Sequence, residues 1–292
     1  MNDLGHLFLS GATGHTGRRL VARFLERGWR LRCLSRSGQP GPDLPETDRL
    51  EIVRGDLREP EGWIDALNGV GAFLHLAHIG FTPFWADACR RAGVARVIAL
   101  SSTRRFTRFP DASADRVRLG EATLETSDLD YTILRASMIF GGRDDRNLEQ
   151  LVQWLRCRSW MPRIAGGRNL VQPIYVWDLV GAIESVLAHP EATRRRVFTV
   201  AGPEPMTHRE MVETIARAMG RRVHWVPLPW RVAWLSAAFA QAVLPRPPAT
   251  TAQVRRLLED KTFNIEPARR ALGGWTPRPF PEAIAEKLAG RA

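Results

Sequence analysis

The chain has 292 residues, 44% of them hydrophobic, which is enough for a large buried core and argues against a disordered chain. It carries 42 lysines and arginines against 31 aspartates and glutamates, a formal net charge of +11, yet Lys261 and Lys287 are its only lysines. Any mechanism that needs a lysine within residues 1–260 is therefore excluded, because arginine stays protonated at working pH and cannot replace lysine as an acid or base.

The first half of the chain alternates between predicted strands and helices. A strand at 7–10 runs directly into a glycine-rich loop, after which apolar residues recur at helical spacing. Further strands are predicted at 31–34, 50–53, 72–76, 96–100 and 131–134, and further helices at 60–67, 83–92 and 112–125. Strands separated by helices form parallel units with right-handed crossovers. The sequence therefore predicts an α/β fold with a doubly wound parallel sheet of the Rossmann type.

The pattern loosens after Gly141 and Gly142. We predict helices at 148–155, 176–187 and 207–219 and strands at 171–175 and 197–200. The last of these helices is opened by a threonine cap at Thr207, with Glu210 three residues on. A helical region rich in proline and tryptophan follows. We therefore place a nucleotide-binding domain at residues 1–141 and a smaller, mainly helical region at residues 142–292, which partly returns to the sheet and partly covers the substrate crevice.

Three glycines lie between the first strand and the first helix, at Gly11, Gly14 and Gly17. Glycines let the backbone approach a pyrophosphate, and the amides at a helix N-terminus present partial positive charge to it. Because this triplet occurs in the strand–turn–helix context that the motif requires, it predicts a dinucleotide site and not an ordinary tight turn.

The residues after the second strand indicate which dinucleotide is bound. Proteins that read the NAD ribose place an acidic residue about twenty residues past the glycines. Here that place holds Ser35, Arg36 and Ser37, and no carboxylate occurs until Asp43. A guanidinium and two hydroxyls suit a 2′-phosphate through charge-assisted hydrogen bonds, so we predict NADP, with NAD as the alternative. The competing interpretation of Arg36 is a solvated loop arginine.

Other features exclude several classes of protein. The three cysteines are far apart and form no paired motif, which argues against a zinc ribbon, a disulfide-rich secreted module and any metal site of that type. The N-terminus lacks the pattern of a signal peptide, so a cytoplasmic location is predicted. The apolar run at 232–244 is shorter than the ~20 residues of a membrane span. We predict a buried or groove-lining helix there and no transmembrane segment.

Several motifs occur together in the order typical of one superfamily. They are the 11–17 loop, Gly55-Asp56-Leu57, His75-Leu76-Ala77-His78, Ser101-Ser102-Thr103, Thr132-Ile133-Leu134-Arg135 before Gly141-Gly142, Gln172-Pro173-Ile174-Tyr175-Val176-Trp177-Asp178-Leu179 and Ala201-Gly202-Pro203-Glu204-Pro205. The chain resembles the extended and atypical short-chain dehydrogenase/reductases, which include NAD-dependent epimerase/dehydratases. It is most similar to the branch that holds NmrA-like proteins and the accessory dinucleotide-binding subunit of respiratory complex I.

The resemblance implies roles for residues at matching positions. It assigns cofactor binding to the glycine loop and the strand ends, namely Gly11, Ala12, Thr13, Gly14, His15, Thr16, Gly17, Asp56, Leu57, Ala77, His78 and Ser101. It also implies that Thr103 occupies the place of the catalytic serine or threonine. Active members carry a tyrosine and, four residues later, a lysine on the next helix, and the tyrosine passes the proton while a hydride moves.

The chain departs from this pattern at the proton relay. Aligned on Glu121, the tyrosine and lysine places fall near Ser113 and Val117, and no tyrosine or lysine lies nearby in sequence. Thr103, Asp115, Tyr175 and His78 are the candidate replacements, although each also has a purely structural interpretation. Without one of them, the protein binds the dinucleotide and does not turn it over.

Arginines cluster after two strand ends, where doubly wound folds open their crevice. They are Arg104, Arg105 and Arg108 after the fifth strand and Arg143 and Arg146 after the sixth. These arginines could bind an anionic small-molecule substrate. In the alternative interpretation they are solvent-exposed residues at the edge of the crevice with no ligand. Basic residues are spread over every segment and no nucleic-acid module is recognised, so no nucleic-acid partner is predicted. His75 and His78 leave opposite faces of an extended strand, so no metal site is predicted.

Two hypotheses remain. The first is an NADP-dependent oxidoreductase or epimerase that acts on a small carbonyl compound or a phosphate-bearing sugar. The second is a non-catalytic NAD(P)H-dependent sensor or scaffold whose tryptophan-rich C-terminal region contacts a protein partner. Both require the dinucleotide, and they differ in turnover.

Overall fold

A seven-stranded sheet forms the centre of the molecule. The computed structural model describes residues 5–41, 43–109, 111–142, 144–145, 148–245 and 250–290, with the side chains of Ala165 and Gln253 left out. Its strands are β1 (His6–Ser10), β2 (Arg30–Ser35), β3 (Leu50–Arg54), β4 (Val70–His75), β5 (Val97–Ser102), β6 (Tyr131–Ala136), β7 (Ile139–Phe140), β8 (Trp160–Ile164), β9 (Leu170–Val171), β10 (Ile174–Tyr175), β11 (Arg196–Val200), β12 (Met206–Thr207) and β13 (His224–Leu228).

Helices cover the sheet and build the second half of the chain. They are α1 (His15–Glu26), α2 (Thr82–Arg91), α3 (Ala112–Glu125), α4 (Glu149–Cys157), α5 (Val176–Ala188), α6 (Pro190–Thr193), α7 (His208–Ala218), α8 (Trp230–Val243), α9 (Thr251–Arg256), α10 (Glu266–Ala271) and α11 (Phe280–Leu288). The predicted capping box at the start of α7 is present, because Thr207 and Glu210 each accept a hydrogen bond from the other's backbone amide.

The central sheet is parallel throughout and runs in the order β3–β2–β1–β4–β5–β6–β11. The predicted doubly wound fold is thus confirmed. The order reverses between β1 and β4, and ligands of such sheets bind outside the carboxyl ends of the strands at this switch point. The chain returns from its second half to add β11 beside β6.

Both faces of the sheet are buried. One face packs against α1 and α5 through residues such as Leu20, Phe24 and Ile183, and the other packs against α2 and α3 through Trp85 and Val117. A third cluster lies in the second half of the chain and joins residues of α4, α7 and α11 to β7 and β10. The nucleotide-binding sheet therefore carries a separately packed second unit at one end.

Local predictions failed where prolines or short strands interrupt the pattern. The helix predicted at 60–67 is two 3₁₀ turns, Pro60–Gly62 and Ile64–Leu67. The strand predicted at 171–175 is two strands, since β9 pairs with β12 and β10 pairs with β7. β8 and β13 pair with each other but were not predicted. Each contains a proline, and a proline in a sequence argues against the interior of a strand.

The prediction for the apolar run at 232–244 was wrong about its burial. It forms most of α8, but only Ala233 and Ala237 of that helix are buried. Leu235, Phe239 and Val243 remain 61%, 71% and 60% exposed. Ala233 and Ala237 face the protein while Leu235, Phe239 and Val243 face outward, a direction that apolarity alone does not reveal. Within the described ranges, no helix is both long and apolar enough to cross a bilayer.

Two phenylalanine substitutions test this reversal. Phe239→Ala should change the free energy of unfolding by less than about 0.5 kcal/mol, because the ring contributes little buried area. Phe280→Ala, at a 4% exposed ring 5.1 Å from that of Phe140, should cost roughly 3 kcal/mol or more. Urea denaturation of both variants measures the difference. Equal losses would contradict the exposed position of Phe239.

Candidate functional site

The three glycines of the 11–17 loop are required for different structural reasons. Gly11 has a φ of +80°, and a Cβ there would lie 2.7 Å from the Ala77 amide nitrogen. A Cβ on Gly17 would lie 2.8 Å from the Ala12 Cα, so this glycine permits close packing of α1 on the loop. At Gly14 the nearest atom to such a Cβ is the Gly11 carbonyl oxygen, at 3.1 Å. Gly14 is therefore the position at which a missing side chain leaves room for a ligand above the loop.

The loop opens α1 with unprotected amide groups. Gly14 caps the helix without a side-chain hydrogen bond, and the first turn holds no acidic residue. Its positive end is therefore free to receive an anion such as a pyrophosphate.

A charge cluster ties α1 to the loop after β7. Asp144 accepts a 2.6 Å hydrogen bond from His15, pairs with Arg19 at 2.9 Å and also pairs with Arg18. Burial disfavours the charged form of Asp144, but the hydrogen bonds from Arg19, Arg18 and His15 outweigh burial and lower the pKa of this carboxyl. The cofactor helix is thereby anchored to the second half of the chain.

A buried histidine supports the loop from below. His75 Nε2 lies 3.2 Å from the His78 carbonyl oxygen, which only accepts, so Nε2 carries the proton and Nδ1 accepts from the Ser10 hydroxyl at 2.7 Å. Burial lowers the pKa of His75 to about 3, and the ring is neutral at pH 7. These bonds join the carboxyl ends of β1 and β4 at the switch point of the sheet.

The first cavity, of about 620 Å³, extends from the glycine loop across the ends of β2 and β3. Its walls contain many of the predicted cofactor residues, namely Gly11, Thr13, Ser35, Arg36, Ser37, Asp56, Leu57 and Ala77. The hydroxyls of Ser35 and Ser37 lie 3.0 Å apart beside Arg36. The cavity therefore connects the glycine loop to the carboxyl ends of β2 and β3.

Sequence reasoning missed several residues of this first cavity, among them one cation and one aromatic ring. Arg58 and Phe81 both line it, and the Arg58 guanidinium lies 5.3 Å from the centre of the Phe81 ring. The signal for Arg58 was its position directly after Gly55-Asp56-Leu57. Nothing local marked Phe81, which follows the end of β4 at the base of α2.

Other predicted cofactor residues lie elsewhere. Ala12 and Thr16 are buried beneath the loop, and Ser101 is buried and donates to the Glu121 carboxylate. His78 lines the second cavity, and its Nδ1 accepts from the Gly80 amide at 3.0 Å. Gly14, His15 and Gly17 belong to the loop and the first turn of α1 without appearing in the wall of the first cavity.

The second cavity, of about 510 Å³, lies past the ends of β5 and β6. Thr103, Ser113 and Val117 line it, so the positions matched to the missing tyrosine and lysine both face this space. Arg104 also lines the cavity and donates from Nη1 to the Ser113 hydroxyl at 2.7 Å. Its apolar wall is formed by Phe106, Val117, Met138, Ile139 and Phe263.

A segment from the far end of the chain closes the second cavity. Residues 256–263 contribute Arg256, Glu259, Asp260, Lys261 and Phe263 to its walls. The Glu259 carboxylate accepts from the Thr107 hydroxyl at 2.9 Å and from the Arg108 amide at 2.5 Å. We refer to residues 256–263 as the closing segment. No local pattern marked it, since its contacts span about 150 residues of sequence.

Three of the predicted catalytic and substrate-binding residues line neither cavity. Asp115 is on the solvent side of α3, where its 65% exposed side chain pairs with Arg118 at 2.9 Å. Tyr175 is buried in the third hydrophobic cluster, and its hydroxyl donates to the Glu286 carboxylate at 3.1 Å. Arg105 pairs at 2.9 Å with the fully buried Glu121.

The remaining predictions concern arginines and metals. Arg104 and Arg108 line the second cavity, whereas Arg143 and Arg146 lie outside the described residues. Among the residues that the structure describes, no group of histidines, cysteines and carboxylates is arranged to hold a metal ion.

Protonation of His75 should couple stability to pH. The unfolded chain binds this proton below about pH 6.5, whereas the fold excludes it until about pH 3, so stability falls as pH falls through that window. Between pH 7.5 and 5.0 the wild type should lose about 2 kcal/mol more than His75→Gln, which keeps hydrogen-bonding capacity but does not titrate. Denaturant titrations at the two pH values measure this, and equal losses in both proteins would contradict the role of His75.

Comparison with known proteins relates the chain to NAD(P)H-binding proteins. Residues 11–151 match the model of a family described as NAD(P)H-binding. A 2-alkyl-3-oxoalkanoate reductase of Stenotrophomonas maltophilia is 25% identical, over 91% of this chain and 93% of its own length. A ceramide reductase of Caulobacter vibrioides is 29% identical, over 77% of this chain and 74% of its own length.

Solved structures agree on the fold. UDP-glucuronic acid 4-epimerase from Bacillus cereus, in complex with UDP-glucuronic acid and NAD, has a TM-score of 0.75 to this chain at 13% identity and covers 98% of both chains. At that identity the likeness concerns the fold alone. The NAD(P)H-binding match and the curated relatives agree with the motifs and the sheet order in the resemblance of the chain to the extended and atypical short-chain dehydrogenase/reductase superfamily.

Proposed function

We propose that the protein is an NADP(H)-dependent reductase of a carbonyl compound that carries an anionic group. The observation that carries this proposal is the second cavity, which combines cationic side chains with an apolar wall beside the dinucleotide site. Bound NADPH supplies a hydride to the carbonyl carbon. The residues of the chain must then bind both molecules, orient the carbonyl and supply a proton.

The preference for NADP rests on the first cavity. Ser35, Arg36 and Ser37 line it where a carboxylate would accept from the ribose of NAD, and Arg58 adds a second guanidinium. A 2′-phosphate would receive charge-assisted hydrogen bonds from these groups. Asp56 also lines the cavity, but it follows β3, on the side that the family resemblance assigns to adenine.

The substrate class follows from the chemistry of the second cavity. Arg104 and Arg108 present guanidinium groups to the cavity, and Arg256 adds a third that pairs with Asp111 at 3.2 Å. The carboxylates of the lining are already engaged, since Glu259 accepts from Thr107 and the Arg108 amide and Asp260 accepts from the Leu170 amide. An anionic group is therefore attracted more than a neutral one. The rings of Phe106 and Phe263, 6.1 Å apart, suit a hydrocarbon part of the same molecule. A 2-alkyl-3-oxoalkanoate, the substrate in the name of one relative, combines a ketone, a carboxylate and alkyl chains.

A reductase is preferred to an epimerase because two of the curated relatives, at 25% and 29% identity, are named as reductases. The epimerases are solved structures that resemble the chain at 16% and 13% identity, where a likeness concerns only the fold.

One observation favours a second candidate function. This candidate is a non-catalytic NAD(P)H-binding protein whose tryptophan-rich C-terminal region contacts a partner. Ser113 and Val117 face the cavity where the relay of active members would act, and neither replaces a tyrosine and a lysine.

The cofactor preference has a direct test. NADPH should bind more tightly than NADH, and Arg36→Ala should weaken NADPH about 10- to 100-fold while leaving NADH nearly unchanged, because a charged hydrogen bond is worth ~1.5–3 kcal/mol. Fluorescence titration measures both affinities. Arg49→Ala, at an exposed arginine outside the cavity, is the matched control. If the ratio of the NADPH and NADH affinities is unchanged in Arg36→Ala, Arg36 does not bind the 2′-phosphate.

Turnover separates the two candidates. With NADPH and a 2-alkyl-3-oxoalkanoate, nicotinamide absorbance should fall, and the methyl ester of the same acid should show a KM at least tenfold higher because it lacks the charge. Arg104→Ala should raise the KM for the acid and leave that for the ester unchanged. If NADPH binds but neither compound is reduced, the reductase proposal is wrong and the result favours the non-catalytic candidate.

A further inference from the structure

One of the two lysines of the chain lies in the cavity from which the usual lysine is missing. Lys261 belongs to the closing segment and lines the second cavity together with Thr103 and Ser113. The rule drawn from the sequence, that no lysine serves the site from residues 1–260, holds, but the fold brings one in from beyond that range. The position of Lys261 therefore needs explanation.

The backbone around Lys261 is held on both sides. The Lys261 amide donates to the Leu170 carbonyl oxygen at 2.8 Å, and the Asp260 carboxylate accepts from the Leu170 amide at 2.8 Å. On the other side Glu259 accepts from Thr107 and from the Arg108 amide. The closing segment thus bridges the second half of the chain and the crevice of the sheet. These contacts fix the backbone position from which the Lys261 side chain extends.

The ammonium group of Lys261 is only partly satisfied. Its Nζ donates to the Arg256 carbonyl oxygen at 3.2 Å, and no carboxylate oxygen of the described residues lies within 4.0 Å of it. Lys287, the other lysine, has the opposite environment, since it is buried and pairs with Glu149 at 2.8 Å. Lys287 serves packing, whereas Lys261 keeps N–H groups available to a molecule in the cavity.

The surroundings of Lys261 favour release of a proton. Burial lowers its pKa, the positive charges of Arg256 and Arg104 lower it further, and Glu259 opposes them. His208 also faces Lys261, and burial together with the charge of Lys261 lowers the pKa of that histidine. An acid whose pKa approaches the working pH transfers its proton more effectively than an ordinary lysine.

We propose that Lys261 is the proton donor of the reductase, delivering from the closing segment the acid that Ser113 and Val117 do not supply. This inference rests on the proposed function. When a hydride adds to the carbonyl carbon, the electron pair of the carbonyl π bond takes a proton from Lys261 Nζ. The ketone becomes a secondary alcohol and NADPH becomes NADP⁺. The neutral amine of Lys261 then recovers its proton from water.

A titration tests the environment of Lys261 without turnover. Because the chain has two lysines, reductive methylation of the full-length protein with ¹³C-formaldehyde gives a simple NMR spectrum of dimethylated amines. The signal that disappears in Lys261→Arg belongs to Lys261. It should titrate below the ~10.4 of an ordinary lysine. A midpoint at or above that value would overturn the proposal.

Kinetics test the role itself. With NADPH and a 2-alkyl-3-oxoalkanoate, Lys261→Met should lower kcat about 100-fold or more while the Kd for NADPH stays unchanged, because general acids contribute ~10²–10⁴. Lys261→Arg should not restore kcat, since arginine keeps its proton. Arg255→Met, one residue before the closing segment and outside the cavity wall, is the matched control and should retain activity.

The pH profile distinguishes proton donation from a structural role. Wild-type kcat should fall as pH rises through the pKa of Lys261, and this limb should be absent in Lys261→Met. An active wild type whose kcat and pH profile survive Lys261→Met would overturn the role of Lys261 and leave the proposed function standing. An inactive wild type that still binds NADPH would overturn the proposed function, and the role of Lys261 with it.

Discussion

The second cavity depends on one buried carboxylate. Glu259 is 8% exposed and accepts hydrogen bonds from the Thr107 hydroxyl and the Arg108 amide, which lie just past the end of β5. Hydrogen bonds to a charged acceptor are worth roughly 1.5–3 kcal/mol each, and removing the donors would leave a buried charge unsatisfied. This contact joins the closing segment to the nucleotide-binding sheet. Together with the pair between Arg256 and Asp111, it holds Arg256 and Lys261 in the same cavity as Thr103.

Some basic residues of this chain neutralise buried or partly buried acids, and others line the two cavities without an ion pair. Arg105 and Arg135 compensate the buried Glu121, and Arg19 compensates Asp144 beside the cofactor helix. These arginines hold the structure together and contribute little net charge to the site. Arg36 and Arg104 form no ion pair within the described residues and line the two cavities. Part of the excess of positive charge therefore lines the two cavities, which the composition alone does not reveal.

The nucleotide-binding half could be predicted from the sequence because its signals are local. Glycine spacing, strand–helix alternation and the residues after each strand all lie within a few positions of one another. The closing segment could not be predicted, because Glu259 meets Thr107 across a separation of 152 residues. The orientation of α3 was readable in part, since Ala114, Val117 and Glu121 are spaced along one helical face and are buried. That spacing leaves Asp115 on the solvent side, which is where the structure has it.

The same carboxylate explains why the ammonium group in the second cavity is not neutralised. An acid two residues from Lys261 would be expected to pair with it, yet Glu259 is turned toward Thr107 and Arg108 and no pair within 4.0 Å forms. Glu259 thus closes the cavity and leaves Lys261 among the positive charges of Arg104 and Arg256. An arginine at position 261 would satisfy the backbone contact to Arg256 equally well but would never release a proton. In a chain that uses arginine almost everywhere else, a lysine at this position is the choice that proton transfer requires.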